Sequence, residues 1–356
     1  MESPPNQYSP ALMQAVLGSL REGILVIDQD TNIVLYNQAA SEIFKLRLQD
    51  SSGRLLRLVD ATRNKTIHQG FRKVLQDGTP FEGEVEFLNS QTRTYSFRAT
   101  PLLLAPENTV NGAIGVFSDI SQLVKLERVR REFFANLSHE LRTPLTSILV
   151  YVETLLDGAI YDIDYNVEFL QIINKHGKRM LNLVKDIADL SAIEGGEVSI
   201  TLMDVDIRAF VENLATLVSA ELEEQNLTFT NAVPVGMRIL ADTKSLEQIL
   251  MNLIVNAIRF NRPKGSITVS ARLEDPEHAV ITVKDTGIGM DAHHLPRIFE
   301  RLYRVDKSRS QETGGTGLGL AIVKHLVHAN QGDISVESTP NEGTSFHIKL
   351  LCPPKG

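Results

Sequence analysis

Residues 133–149 read FFANLSHELRTPLTSIL. Phe133, Phe134, Leu137, Leu141, Leu145, Ile148 and Leu149 recur at steps of three and four, the pattern of one apolar stripe along a helix. His139 lies off that stripe. Burying the stripe in a helical bundle therefore leaves the imidazole facing out, and Thr143, four residues on, shares its face. Pro144 lacks a backbone donor and is expected to weaken the helix just beyond the histidine. A lone helical histidine is ordinary, so its meaning depends on what the rest of the chain can bring to it.

The chain has 356 residues, enough for two or three domains with ordinary cores. A net charge of −8 argues against a nucleic-acid binder held by phosphate contacts. The single cysteine, Cys352, excludes an internal disulfide and a cysteine-based zinc cluster. No apolar run approaches the ~20 residues of a spanning helix. The start, MESPPNQYSP, has neither a basic n-region nor an apolar h-region. A cytoplasmic location is expected for this stretch, which encodes no membrane segment of its own and could meet a membrane through a partner.

Working outward, residues 1–8 read as a loose tail and Ala11–Leu20 as a short helix. GILVIDQD and NIVLYNQ are strand-like, AASEIFKL and the stretch around 64–75 are helical, and FEGEVEFL, RTYSFRATPLL and GAIGVFSDI are β-rich. That order makes a small α+β domain of sensor size over 8–118. It has no cysteine for a flavin adduct. Its one histidine, His68, sits between polar neighbours on a solvated helix face, so no haem is expected. An apolar or empty pocket in a domain that mainly dimerises is the expectation, and its ligand is unknown.

Residues 119–196 form the second part. DISQLVKLERVRR is expected to run as helix without a break into the His139 helix, which ends near Asp157-Gly158. A second helix over 167–192 carries Leu170, Ile173, Met180, Leu181, Val184, Ile187 and Leu190 as its stripe. Two antiparallel helices with one stripe each cannot hide that surface alone, so a homodimer with a four-helix bundle is expected. The third part, 204–352, opens with one helix over 207–224 and a strand pair, LTFTNAV and MRILA. The helix TKSLEQILMNLIVNAIRFN, two strands, a glycine-bearing loop, a helix and two more strands follow, as in an α/β sandwich. The fold class is thus multidomain α+β.

Three motifs in the third part carry chemistry. Asn252 and Asn256 lie at i, i+4 among apolar residues, where amides are costly without a partner. An amide oxygen suits Mg²⁺, which takes its remaining ligands from water and phosphates, and Arg259 is one turn further on. Asp285-Thr-Gly-Ile-Gly-Met290 follows a strand; its glycines allow close backbone approach to a ligand, and its carboxylate can accept from an adenine amine. Gly314-Gly-Thr-Gly-Leu-Gly319 opens a helix, whose N-terminal donors suit phosphate. Any one of these is weak, but their order is specific. His176, His293, His294, His325 and His328 show no metal-type set and read as surface or packing residues.

NLIVNAIRF, DTGIGM, RIFERLYRVD, GGTGLGLAI and EGTSF resemble the nucleotide-binding domain of sensor histidine kinases, and FFANLSHELRTPL resembles their phosphoacceptor helix. Residues 10–120 resemble a PAS domain through their GILVID…NIVLYNQAA opening and GVFSDIS exit. The resemblance implies ATP as substrate and Mg²⁺ as cofactor. It implies His139 as phosphoacceptor and Glu140 as its base, with Thr143 able to hold a water that hydrolyses a partner's acyl phosphate. It assigns Asn256 to Mg²⁺ and Asn252 and Arg259 to phosphates, with Phe260 beside them. Asp285, Gly287 and Gly289 fall to adenine and Thr344 near the base. Arg304 is the lid-side arginine, and Gly315, Gly317, Leu318 and Gly319 form the lid hinge. Arg259 and Phe260 stand where many family members have lysine and tyrosine, keeping charge and ring. The implied reaction is autophosphorylation of His139, then transfer to an aspartate of a cognate response regulator. Related ATP sites in chaperones, topoisomerases and serine kinases lack a helix like HELRTPL. A non-catalytic scaffold is the alternative class, against which the intact set of ATP-site residues argues.

Overall fold

The computed structural model describes residues 10–45, 56–88, 92–104, 109–305 and 315–354; the expected tail at 1–8, and Gly314, lie outside them. The chain divides into two compact units, 1–132 and 133–356.

In the first unit α1 (Pro10–Ser19), β1 (Gly23–Asp28), β2 (Ile33–Tyr36), α2 (Gln38–Phe44), α3 (Leu58–Ala61) and α4 (Lys65–Asp77) precede β3 (Phe81–Leu88), β4 (Thr92–Leu104) and β5 (Thr109–Asp119). The strands form one sheet in the order β2-β1-β5-β4-β3, each neighbouring pair antiparallel. Asn64 caps α4 by accepting from the Thr66 and Ile67 amides, and Gly78 closes it at φ +66°. Phe71, Phe97 and Phe117 are fully buried; Phe97 and Phe117 stack at 4.8 Å, and the Phe44 edge meets Phe117 at 4.9 Å. Gly115 permits this, because a Cβ there would stand 2.5 Å from the Phe71 ring. His68 departs from the solvated histidine expected: it is half-buried, with Nε2 2.8 Å from the Thr62 carbonyl.

α5 runs as one helix, Ser121–Leu156. Pro144 does not interrupt it, since the ring is buried on the packed face. A 3-10 turn follows Gly158, which sits at φ +116°, and α6 spans Asn166–Glu194. Leu145, Leu149, Leu170, Leu181 and Val184 stay exposed on these helices in the single chain.

The rest of the second unit is β6 (Met203–Asp206), α7 (Ile207–Leu217), α8 (Ser219–Glu224), β7 (Thr228–Ala232), β8 (Arg238–Ala241), α9 (Thr243–Arg259), β9 (Ser266–Leu273), β10 (His278–Asp285), α10 (Gly319–Ala329), β11 (Asp333–Thr339) and β12 (Gly343–Leu351). Two expectations are corrected. The helix expected over 207–224 breaks at Val218, which leaves the helical region while its side chain stays buried. The expected pairing of LTFTNAV with MRILA does not form: β7 pairs in parallel with β9, and β8 pairs with β6 in a separate ribbon. The main sheet runs β11-β12-β10-β9-β7. Alternate residues of its strands, including Ile267, Val269, Ile281, Val283, Phe346 and Ile348, join a core with Ile249 and Leu253 of α9 and Ile322 and Leu326 of α10. This is a two-layer α/β sandwich. The wholly buried Asn330 accepts from the Asp242 amide (2.8 Å) and donates to Ser245 Oγ (2.7 Å), pinning the end of α10 to the start of α9.

Phe97→Ala should cost the first unit about 3–5 kcal/mol, read from its denaturant midpoint, because it opens a void inside a cluster of rings.

Candidate functional site

The residues singled out by sequence fall into two groups inside the second unit. The first is built around Asp285, the last residue of β10 and 6% exposed. Its Oδ1 accepts from the amides of Gly287 (2.8 Å) and Thr344 (3.2 Å). Among the described residues no partner is found for Oδ2. Burial pushes the carboxyl above the usual range, and the two amides pull it back in part. The glycines are steric requirements. A side chain at Gly287 would run into the Phe260 carbonyl, and one at Gly289, at φ +63°, into the Thr339 carbonyl. The Ile288 amide donates to that Phe260 carbonyl (3.1 Å), and the Asn341 amide to the Ile288 carbonyl (2.7 Å). Ser338 Oγ, 3.0 Å from Thr344 Oγ1, accepts from the Met290 amide (2.8 Å). One end of the cleft is thus backbone, one carboxylate and two hydroxyls.

The second group lies where α9, α10 and the helical hairpin meet. Asn252 and Asn256 are half-buried on α9, and among the described residues neither amide has a hydrogen-bond partner. A Cβ at Gly319, which opens α10, would stand 3.5 Å from Asn252 Oδ1, and one at Gly315 would stand 2.9 Å from Arg259 Nη1. Gly317, at φ +75°, accepts from the Leu302 amide (2.9 Å), and the buried Leu318 seals the turn below. Arg304 donates to the Gly315 carbonyl and, at 3.0 Å, to Oε2 of Glu140 on α5. Arg179 of α6 donates to the same oxygen at 3.1 Å. Burial lowers Arg259 and Arg304 from the usual arginine value; neighbouring guanidiniums add to this, while Glu140 works against it at Arg304. Phe260 is exposed beside the first group.

His139 is exposed on α5, with no hydrogen bond or ion pair to its ring among the described residues. Thr143 Oγ1 donates to the His139 carbonyl (3.2 Å), so its proton is engaged within the helix.

Several residues were missed. Asp186 of α6 accepts from Thr316 Oγ1 at 2.6 Å, and burial raises its pKa against that bond. Asp189 accepts from Gln248 of α9 at 2.9 Å. Glu194 pairs with Arg301, and with His325 at 3.2 Å, so His325 is more than a surface residue. The available signal was spacing: Arg179, Leu183, Asp186, Leu190 and Glu194 follow one face of α6, with charges set into an apolar stripe. The expectation that the histidines include no metal-type set is also corrected. Asp291, His293 and His294 bring ligand-type atoms within 4.8 Å of one another, the two imidazoles lying 3.7 Å apart and tilted by 43°.

Comparison with known proteins matches residues 241–354 to the histidine kinase-, DNA gyrase B- and HSP90-like ATPase family, 129–196 to the His kinase A phosphoacceptor domain and 17–125 to the PAS fold. A sensor protein kinase WalK of Staphylococcus aureus is 31% identical over 347 residues, 96% of this chain and 80% of its own. WalK of Staphylococcus epidermidis is 32% identical over 96% of this chain and 55% of its own. The chain spans about half the length of the first curated relatives it matches, 55% in the S. aureus strain Newman protein. Among solved structures, histidine kinase ThkA in complex with response regulator protein TrrA aligns over 96% of this chain and 98% of that one, with TM-score 0.52 and 21% identity. Acinetobacter baumannii histidine kinase AdeS aligns over 60% of this chain and 98% of its own, with TM-score 0.51 and 23% identity. These two likenesses concern fold. Among the described residues no helix is long and apolar enough to cross a membrane.

Asp285→Asn should leave the Tm at pH 7 unchanged or up to about 5 °C higher. The raised carboxyl favours the folded state below its unfolded pKa, and that contribution is lost as pH rises through the folded value. The variant's advantage should therefore be greatest near neutrality and shrink in acid, as checked by thermal melts from pH 4 to 8.

Proposed function

The chain belongs to the sensor histidine kinases, and from that premise we propose that it phosphorylates its own His139 from ATP and passes the phosphoryl group to an aspartate of a response regulator. One observation carries the reading. A single unit holds an exposed acceptor imidazole on α5 and, bridged to the same helix by the Glu140–Arg304 ion pair, a cleft with a carboxylate at one end and arginines at the other.

Asp285 accepts from the adenine amine through Oδ2, and the glycines at 287 and 289 let the base lie against backbone with Thr344 nearby. Arg259, Arg304, Asn252 and the turn of Gly315, Gly317, Leu318 and Gly319 receive the phosphates, and Phe260 flanks them. Asn256 suits Mg²⁺: it offers a hard oxygen on a half-buried amide that no described protein group occupies. The ion would supply neutralisation of phosphate charge. A neutral His139 nitrogen attacks the γ-phosphorus in line, so an N–P bond forms as the P–O bond to ADP breaks. Glu140 takes the proton released from the other ring nitrogen. Thr143, with its proton engaged in the helix, is assigned to the reverse hydrolysis of the regulator's acyl phosphate.

The working molecule is a homodimer, in which the exposed leucines of α5 and α6 from two hairpins close a four-helix bundle. The parts are a PAS-like sensor domain over 8–118, the phosphotransfer hairpin over 119–196 and the catalytic domain over 204–352. The acidic net charge fits protein rather than nucleic-acid partners.

Incubation with γ-labelled Mg-ATP should label the protein in a form lost in acid and kept in base. His139→Ala and Asn256→Ala should each reduce the label at least about 100-fold. Label that persists in His139→Ala would move the acceptor and sink the reading.

A further inference from the structure

Glu140 Oε2 is shared by two guanidiniums from different elements, Arg179 of α6 at 3.1 Å and Arg304 at 3.0 Å. The arrangement is shielded: the side chains of Arg304, Arg179 and Glu140 are 8%, 12% and 29% exposed. It is also short of negative charge. Arg259 adds a third guanidinium, and each of Arg259 and Arg304 is lowered by burial and by Arg179 nearby. The carboxylates acting on these arginines are Glu140 and Asp186, and Asp186 is itself raised by burial and engaged by Thr316. Such a cluster gains from an additional anion.

Arg304 therefore has two claimants. One is Glu140; the other, on the function proposed above, is the nucleotide's phosphate. Both cannot take Nη2 at once, because both of its hydrogens are already used, one on the Gly315 carbonyl and one on Glu140, so a phosphate that binds there displaces the carboxylate. Arg179 belongs to α6 of the hairpin, and Glu140 to α5 of the same hairpin. Their pairing does not depend on where the lid arginine goes.

We propose that Arg179 is a positioning residue for phosphoryl transfer, retaining the Glu140 carboxylate on the hairpin when Arg304 exchanges that carboxylate for nucleotide phosphate. The inference rests on the kinase reading above and adds an ordering to it. Before exchange, the Glu140–Arg304 pair ties the base to the lid side. After exchange, Arg179 alone holds the carboxylate, whose free lone pairs accept the His139 proton as the N–P bond forms and ADP departs. The latch costs some nucleotide affinity, and Arg179 limits the base's rotamers.

The test uses the whole chain, with binding of a fluorescent ATP analogue measured separately from acid-labile labelling. Glu140→Gln keeps Arg179 and removes the competing charge. It should bind nucleotide about 3- to 10-fold more tightly while losing label about 100-fold, the scale of general-base loss. Arg179→Ala should lower kcat for autophosphorylation about 10- to 100-fold with KM for ATP unchanged or lower, and Arg179→Lys should recover part of it. In the Glu140→Gln background, Arg179→Ala should subtract little more, since both act through one carboxylate. Full additivity, or a raised KM with kcat retained, would overturn the proposal by making Arg179 independent of Glu140 or a phosphate ligand. If Arg179→Ala unfolds, Arg179→Lys and the Glu140→Gln affinity decide. Unchanged or weaker binding in Glu140→Gln refutes the latch. If wild type binds nucleotide but takes no label, the kinase reading fails, while the Glu140→Gln affinity still decides the exchange.

Discussion

A carboxylate at the end of a strand, almost wholly removed from water, must be held by donors that cannot move away. Asp285 meets that demand with two backbone amides, Gly287 one loop ahead and Thr344 on the neighbouring strand β12. Most of the local structure around it follows. The β10–β12 register brings Ser345 opposite Lys284, which sets Thr344 beside Asp285. Position 343 must be glycine, because it sits at φ +121° and a side chain there would strike the Asp285 carbonyl. Ser338 ties the turn back through the Gly343 carbonyl at 3.0 Å. One desolvated acid therefore constrains residues of two strands and of the loop that follows β10.

On its other side the α/β sandwich meets the hairpin through charge as well as apolar contact. Glu140, Arg179, Asp186, Asp189 and Glu194 each reach a group on the sandwich or on the partner helix of the hairpin. Half-buried ion pairs are poor glue, because desolvation offsets much of their attraction. They are good selectors of geometry, and an interface built from them can be remade by another anion.

Much of this was legible in the residues. β3 coincides with the β-rich run FEGEVEFL, and α9 with the helix expected over TKSLEQILMNLIVNAIRFN. Other features depend on tertiary context. The order of β7 and β8 along the chain says nothing of which strand each will join, and here α9 lies between β7 and its parallel partner β9. Pro144 reads as a helix breaker until its ring is seen on the buried face. His68 looks solvated by its neighbours in sequence, yet a carbonyl six residues back claims its ring. The charges on α6 hide within an apolar stripe because a partner surface, absent from any local pattern, makes them affordable.

The glycines around Asp285 also set where change is open to evolution or to a designer of ligands. Side chains at 287, 289 and 343 collide with backbone carbonyls rather than with movable side chains, so no repacking makes room for them. The loop is closed to gradual reshaping from within. Ile288 and Phe260, both exposed along its rim, are free of that restriction. Selectivity among compounds that settle against this loop should therefore be written by the exposed side chains at its edge, while its backbone stays the same.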